Sequence, residues 1–159
     1  MDKAALRGAI IARLEADLAL QTDAAHGSRA EATDQESKAE GQYDMRGQSA
    51  AYLAAGQAQM ASEIAAAIAA YRALPLPGFA AGAPVALGAL VTVESGGDQT
   101  CYFMGPARGG LELDWNGGAV TVITAASTLG RSLLGRRAGE RLTAPKGGLA
   151  AGPLIVAVD

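Results

Sequence analysis

Residues 50–78 read AAYLAAGQAQMASEIAAAIAAYRALPLPG. Up to Leu74 the small and apolar positions recur in steps of three and four: Ala50, Leu53, Gln57, Met60, Ile64, Ala67, Tyr71 and Leu74. Pro75 and Pro77 then end the helical pattern, because proline lacks the backbone donor and clashes with the preceding turn. The same stepping occurs earlier, through Ile11, Leu14, Leu18, Gln21, Ala25, Ser28 and Ala32. Two such stripes predict an antiparallel helical hairpin over residues 1–74. Pairing the start of one with the end of the other places the fold-back near residue 37. Thr33-Asp34-Gln35-Glu36 and Ser37-Lys38-Ala39-Glu40 both have capping-box form, so the second helix is expected to begin within 33–38. Gly27 offers the first helix an earlier end and is the rival boundary.

The stripe thins from base to tip. Ile11, Leu14, Leu18, Met60 and Ile64 stand near the base, whereas Ala25, Ser28 and Ala32 stand near the tip. A buried Leu replaced by Ala typically costs about 2–5 kcal/mol, so the distal end is expected to be the weaker one. The whole chain shows the same lightness: 37 alanines and 21 glycines occupy more than a third of its 159 residues, and aromatics are only 4%. Small residues let helices approach closely, so the expected arm is slender, and about 32 residues of helix span roughly 48 Å. Such an arm is a poor enzyme pocket and a good probe. An apolar fraction of 50% still excludes a wholly disordered chain.

Composition changes sharply after Leu74. All six prolines and 16 of the 21 glycines follow it, while 23 of the alanines precede it. Residues 75–84 read as a Pro/Gly linker and 85–159 as a small sheet domain, giving an α+β chain. Expected strands are Val85–Glu94, ended by Ser95-Gly96-Gly97-Asp98, then Thr100–Met104, Ala119–Thr124 and Leu154–Val158. Between the last two, Ser127–Gly135 reads as a short capped helix with Gly135 at its end.

Several function classes are excluded. A net charge of −3 and few aromatics argue against independent DNA or RNA binding. One Cys and one His leave no disulfide and no Cys/His zinc set. The N-terminus lacks the apolar core of a signal peptide. The uncharged stretch Ala73–Val93 has the nominal length of a membrane span but is broken by three prolines and three glycines. A soluble cytoplasmic monomer with no membrane contact is the expectation. Gly130 and Gly135 have phosphate-loop spacing, but Arg136-Arg137 follows where Lys-Ser/Thr is required.

The main polar feature is acidic. Glu31, Asp34, Glu36, Glu40 and Asp44 cluster at the expected tip against Lys38 alone. In a helix, Glu36, Glu40 and Asp44 step by four and share one face. Carboxylates so placed can help hold Mg²⁺, which takes one or two of them and needs further ligands from elsewhere, so no metal is expected to bind the chain alone. The plainer reading makes Glu36 and Glu40 capping acids and the rest a solvated face. Arg131, Arg136, Arg137 and Arg141 form a basic patch that is either a partner contact or surface solubility. Trp115, in Asp114-Trp115-Asn116-Gly117-Gly118, sits at a turn as a partner anchor or as a cover for the small core. His26 reads as a solvated helix residue and Cys101 as a strand thiol.

Ser127-Thr128-Leu129-Gly130-Arg131-Ser132-Leu133-Leu134-Gly135-Arg136-Arg137-Ala138-Gly139-Glu140 resembles the C-terminal signature of the GreA/GreB transcript cleavage factors, Ser-Pro-(apolar)-Gly-Arg-Ala-Leu-Leu-Gly followed by basic, Gly and acidic residues. Ala144-Pro145-Lys146-Gly147-Gly148 resembles the Thr-Pro-Gly-Gly turn of that family. Length and order of parts are similar too: hairpin, linker, and a domain of FKBP-like fold. The resemblance implies that the C-terminal domain docks at the rim of the RNA polymerase secondary channel. The hairpin would then pass inward, and acidic tip residues would support a Mg²⁺ shared with the polymerase during hydrolysis of backtracked RNA. Contact with nascent RNA is indirect, and the chain is an accessory to catalysis without an active site of its own. At the tip the family pattern is Asp-x-x-Glu-Asn followed by Glu-Tyr. Glu40 takes the Glu position and Tyr43 the Tyr with a one-residue gap. The Asp position falls on Ser37, with Glu36 beside it, and the Asn position is Gly41. The resemblance thus assigns metal support to Glu40 and Glu36, with Asp44 as a further carboxylate; Arg131, Arg136, Arg137 and Trp115 are the partner-contact candidates on the domain that would dock. Two other readings stand beside it: a non-cleaving regulator of the same channel, and a coiled-coil adaptor, with an autonomous prolyl isomerase as a remote variant.

Overall fold

The computed structural model describes residues 2–36, 45–143 and 152–159, with backbone alone at 31, 32, 34–36 and 45–47. An N-terminal helical hairpin, α1 (Lys3–Glu36) and α2 (Met45–Ala73), is followed by a small five-stranded mixed sheet with one short helix. The chain divides into two compact units, Ile11–Ala69 and the combination of Met1–Ile10 with Ala70–Asp159.

In the hairpin unit α1 runs unbroken through Gly27, so the earlier boundary does not form. Thr33–Glu36 closes α1 instead of opening α2. The Thr33 hydroxyl donates to the Arg29 carbonyl one turn back at 3.0 Å, an in-helix bond that replaces the capping role. The expected fold-back near 37 and the Ser37–Glu40 capping pattern lie outside the described residues. On α1 the stripe holds: Leu14 and Ser28 are buried, and Leu18, Gln21 and Ala25 are half-buried.

On the distal part of α2 the stripe is corrected at Leu53 and Met60, and it holds at Gln57, Ile64, Ala67, Tyr71 and the following Leu74. Leu53 and Met60 are 56% and 46% exposed, while Ala54 and Ala61 are half-buried. The observed seam runs Ala50, Ala54, Gln57, Ala61, Ile64 and Ile68. Up to Ile64 it shares 50, 57 and 64 with the expected stripe and inverts the order of three-residue and four-residue steps between them; beyond it the expected Ala67, Tyr71 and Leu74 are all buried. Ala54 and Ala61 take the more covered side, and the larger Leu53 and Met60 turn to the exposed one.

Gly27 and Gly56 stand in these helices with nothing within 4 Å of where a Cβ would lie. No close approach requires either glycine. Gly27→Ala and Gly56→Ala are each expected to raise hairpin stability by about 1 kcal/mol, the propensity difference between the two residues. A higher thermal midpoint of the helical circular dichroism signal checks this; an unchanged or lower one refutes it.

In the other unit the sheet comprises β1 (Leu90–Ser95), β2 (Asp98–Met104), β3 (Glu112–Trp115), β4 (Gly118–Ile123) and β5 (Leu154–Val158), in the order β3-β4-β2-β1-β5. All pairs are antiparallel except β2 with β4. Two hairpins close through two-residue loops, Gly96-Gly97 and Asn116-Gly117, whose four residues all have positive φ. That geometry matches strand twist and favours Gly and Asn.

The expected first strand is shortened. Val85–Ala89 form a bend around Gly88, at φ +83, and the ladder begins at Leu90. A Cβ at Gly88 would lie 2.9 Å from the Pro75 carbonyl, so glycine is required there twice over. β3 was not among the expected strands. Its Leu113 and Trp115 alternate with Glu112 and Asp114, the period of a half-covered edge strand.

Both sheet faces carry fully buried residues. Val91, Val93, Met104, Ile123 and Ile155 form one core with Leu133 of α3 (Thr128–Leu133) and Leu142. Register places Leu90, Phe103, Val120 and Val122 on the opposite face, each at most 2% exposed. Tyr71 belongs to this side: the Cβ that Gly105 lacks would clash with both the Tyr71 hydroxyl and Val122 Cγ1.

Residues 75–84 are not a free linker. Lys3 Nζ donates to the Pro77 carbonyl at 2.7 Å and lies 4.5 Å from the centre of the Phe79 ring. Arg7 donates to the Leu74 carbonyl at 2.9 Å. Partial burial lowers the Lys3 pKa, and the Asp159 charge opposes the shift. The Tyr71 hydroxyl donates to the Ala107 carbonyl at 2.9 Å, and burial pushes its pKa well above the ordinary tyrosine value. It therefore stays a donor throughout the physiological range. Tyr71→Phe leaves that carbonyl without its donor and is expected to cost about 1 kcal/mol, read as a lower urea midpoint at unchanged slope.

Candidate functional site

The acidic tip was the first candidate. Glu40 and Asp44 lie outside the described residues; Glu36 ends α1, and its side chain is not described. Among the described residues no group of three or more His, Cys, Asp or Glu could hold a metal ion. Glu36 is the last residue of α1 and Met45 the first of α2.

The basic patch is built around the turn between β4 and α3. Ser127 caps α3, its hydroxyl accepting from Gly130 N at 3.0 Å and donating to the Thr124 carbonyl at 2.9 Å. Gly130 is buried against that same carbonyl, where no Cβ fits. Gly135, at φ +80, lies just beyond the helix and donates to the Val85 carbonyl at 2.8 Å. Every glycine of the Ser127–Gly135 stretch therefore has a steric reason to be glycine.

The arginines around this turn are engaged within the chain. Arg131 donates to the Ala126 carbonyl and Arg137 to the Gly82 carbonyl. Arg141 donates to the Gly152 carbonyl at 3.0 Å, and Arg136 lies 3.9 Å from Glu140 in an exposed pair. Exposed pairs of that kind contribute little to stability. Trp115 is half-buried on the edge strand, and its Nε1 is buried without a hydrogen-bond partner among the described residues. An indole donor in that state is a local cost that an acceptor from outside would relieve. The patch and Trp115 thus share the sheet unit and differ in chemistry: engaged cations in one, an unmet donor in the other.

A third feature was not foreseen. Between α1 and α2 of the hairpin unit lies a trough of about 490 Å³. Among the described residues, Ala25 and the polar Thr22, His26, Arg29 and Thr33 line it from α1, and alanines from Ala51 to Ala61 line it from α2. The signal was present in the sequence, since these four residues each lie one place after a stripe position (Gln21, Ala25, Ser28, Ala32). Without the helix phase of α2, nothing showed that a bare wall faced them.

No helix among the described residues is long and apolar enough to cross a membrane. No family model matches the chain, and no curated protein matches it. Among solved structures it is similar to that of the transcription factor Gfh1, at 22% identity over 93% of this chain and 92% of that one, with a TM-score of 0.38. It is likewise similar to GreA factor homolog 1 (Gfh1) of Thermus thermophilus, at 22% identity, 94% of each chain and a TM-score of 0.36. Gfh1 of Thermus aquaticus gives 22% identity, 92% of this chain, 91% of that one and a TM-score of 0.37.

Proposed function

We propose that this chain is a Gre-like transcription elongation factor that binds RNA polymerase at its secondary channel and stimulates cleavage of backtracked RNA. The observation that carries the reading is the Ser127–Gly135 turn, where the residues of the resemblance are the ones sterics demands, downstream of a two-helix arm. α1 alone, with 34 residues, is about 51 Å long. The sheet unit is the docking part, through Arg131, Arg136, Arg137 and Trp115. The arm carries Glu36, Glu40 and Asp44 inward, and these carboxylates complete a Mg²⁺ whose other ligands the polymerase supplies. Contact with nascent RNA is indirect, and the chain works as a cytoplasmic monomer without an active site of its own.

The test is a stalled, backtracked polymerase to which the protein is added across a range of Mg²⁺. Release of short 3′ RNA that depends on the protein supports the reading. A second reading has a specific observation in its favour: the tip carries Ser37 and Gly41 where the family pattern has Asp and Asn. A chain of that kind occupies the channel and regulates without cleaving. Polymerase binding with no released RNA identifies it. A pull-down that never recovers polymerase rejects both and leaves the adaptor reading.

A further inference from the structure

The sheet has two edges, and among the described residues the chain closes only one of them. Along the outer side of β5, Gly139 N donates to the Ile155 carbonyl at 2.8 Å, Ile155 N to the Glu140 carbonyl at 2.9 Å and Leu142 N to the Pro153 carbonyl at 2.8 Å. β3 is the other edge, and among the described residues only β4 pairs with it. Its loop decides which backbone groups are left over. Trp115 and Gly118 flank the two-residue turn as a hydrogen-bonded pair, and such pairs alternate along an antiparallel ladder. Leu113 therefore bonds Val120, and Leu111 accepts from Val122 N at 2.8 Å. The N–H and C=O groups of Glu112 and Asp114 point the other way, along the open edge.

Charge decides what can pair there. Glu112 and Asp114 are exposed on one face of the edge, and neither has an ion-pair partner among the described residues. From Gly109 to Gly130 the sequence contains no Lys, Arg or His. A second copy of β3 laid antiparallel would set these carboxylates against one another, a repulsion that guards the edge against self-pairing. The same charges attract a strand with basic residues at the opposing positions. We propose that β3 accepts, antiparallel, an extended segment of a partner protein that alternates basic and apolar residues. Two residues of that segment, two apart, exchange backbone hydrogen bonds with Glu112 and Asp114 and set lysine or arginine beside their carboxylates. The residues flanking them cover the half-buried Leu113 and Trp115 from outside. Backbone pairing supplies direction and register, and the carboxylates choose a cationic segment over an acidic one. The edge shares Trp115 with the docking surface proposed above but does not rest on that reading, so polymerase is absent from its test.

The full chain is titrated with a synthetic peptide of about seven residues, a common strand length, alternating lysine with valine. A second peptide has glutamate at every lysine. A third keeps the lysines and methylates their backbone nitrogens, which removes the donors facing β3 and leaves charge and alternation intact. The lysine peptide is expected to bind, to change the Trp115 emission and to slow deuterium exchange at the Glu112 and Asp114 amides. The other two peptides are expected to do none of these. Glu112→Lys combined with Asp114→Lys is expected to weaken the lysine peptide by about tenfold or more and to let the glutamate peptide bind. Both positions are exposed, so the dichroism of the chain stays unchanged. Binding of the methylated peptide as tight as its parent makes the contact ionic alone, and equal binding of lysine and glutamate peptides makes it unselective; either result overturns the proposal. Unchanged exchange at the two amides overturns it as well. So does self-association in sedimentation with those amides already protected, which makes a second copy the occupant.

Discussion

Gly130→Ala is expected to destabilise the sheet unit by about 3 kcal/mol, at the upper end of what overpacking costs. An ideal Cβ there falls inside the contact distance of the Thr124 oxygen, 2.7 Å from the Thr124 carbonyl carbon and 2.9 Å from Ser127 Oγ. Two of these obstacles are backbone atoms, so no side-chain rotation relieves the clash and α3 itself must shift. The shift would break the bond from Gly130 N to the Ser127 hydroxyl and move Leu133 out of the core it helps to fill. Trp115, the only tryptophan, lies in the sheet unit, and its fluorescence follows unfolding there directly. The same substitution at Gly56 is the control, since that site is open and the expected sign is opposite. Equal denaturation midpoints for Gly130→Ala and the parent chain would show that the turn does not depend on this close approach.

Glu40→Ala is the second large effect, on activity instead of stability. If its carboxylate completes a Mg²⁺ at the polymerase centre, its removal withdraws a few kcal/mol of charge stabilisation, about 100-fold in cleavage rate. Affinity for polymerase should be unchanged, because docking is assigned to Arg131, Arg136, Arg137 and Trp115 on the other unit. Glu36→Ala and Asp44→Ala should each cost less, and higher Mg²⁺ should recover part of the loss. Wild-type cleavage by Glu40→Ala would remove the assignment, and a parallel loss of binding would mean that the tip docks as well.

Legibility in the sequence followed the range of the forces involved. The two helices, the Asn116-Gly117 and Gly96-Gly97 loops and the Ser127 cap were readable because each rests on steric or hydrogen-bond demands within a few residues. Thr33-Asp34-Gln35-Glu36 misled because the same residues that open a helix also fit within its last turn, and Thr33 bonds back to Arg29. Val85–Ala89 misled because apolar content alone does not reveal a left-handed Gly88. Leu113 and Trp115 alternate with Glu112 and Asp114 beside a turn, so the short edge strand was hidden in what read as loop.

The candidate site divides in the same way. Its acidic residues were visible as composition, and the glycines of the Ser127–Gly135 turn as a pattern. The trough was not visible, because it depends on which side of α2 faces α1.

Sequence by itself determined the order of a helical hairpin followed by a small sheet, since proline, glycine and alanine act through local geometry. The tertiary structure decided the phase of α2, the parallel pairing of β2 with β4 and the binding of residues 75–84 to Lys3 and Arg7. The physical reason is that Ala50, Gln57 and Ile64 belong equally to two heptad stripes. Choosing Ala54 and Ala61 over Leu53 and Met60 requires a rotation of the whole helix, which only packing beyond its own sequence can set.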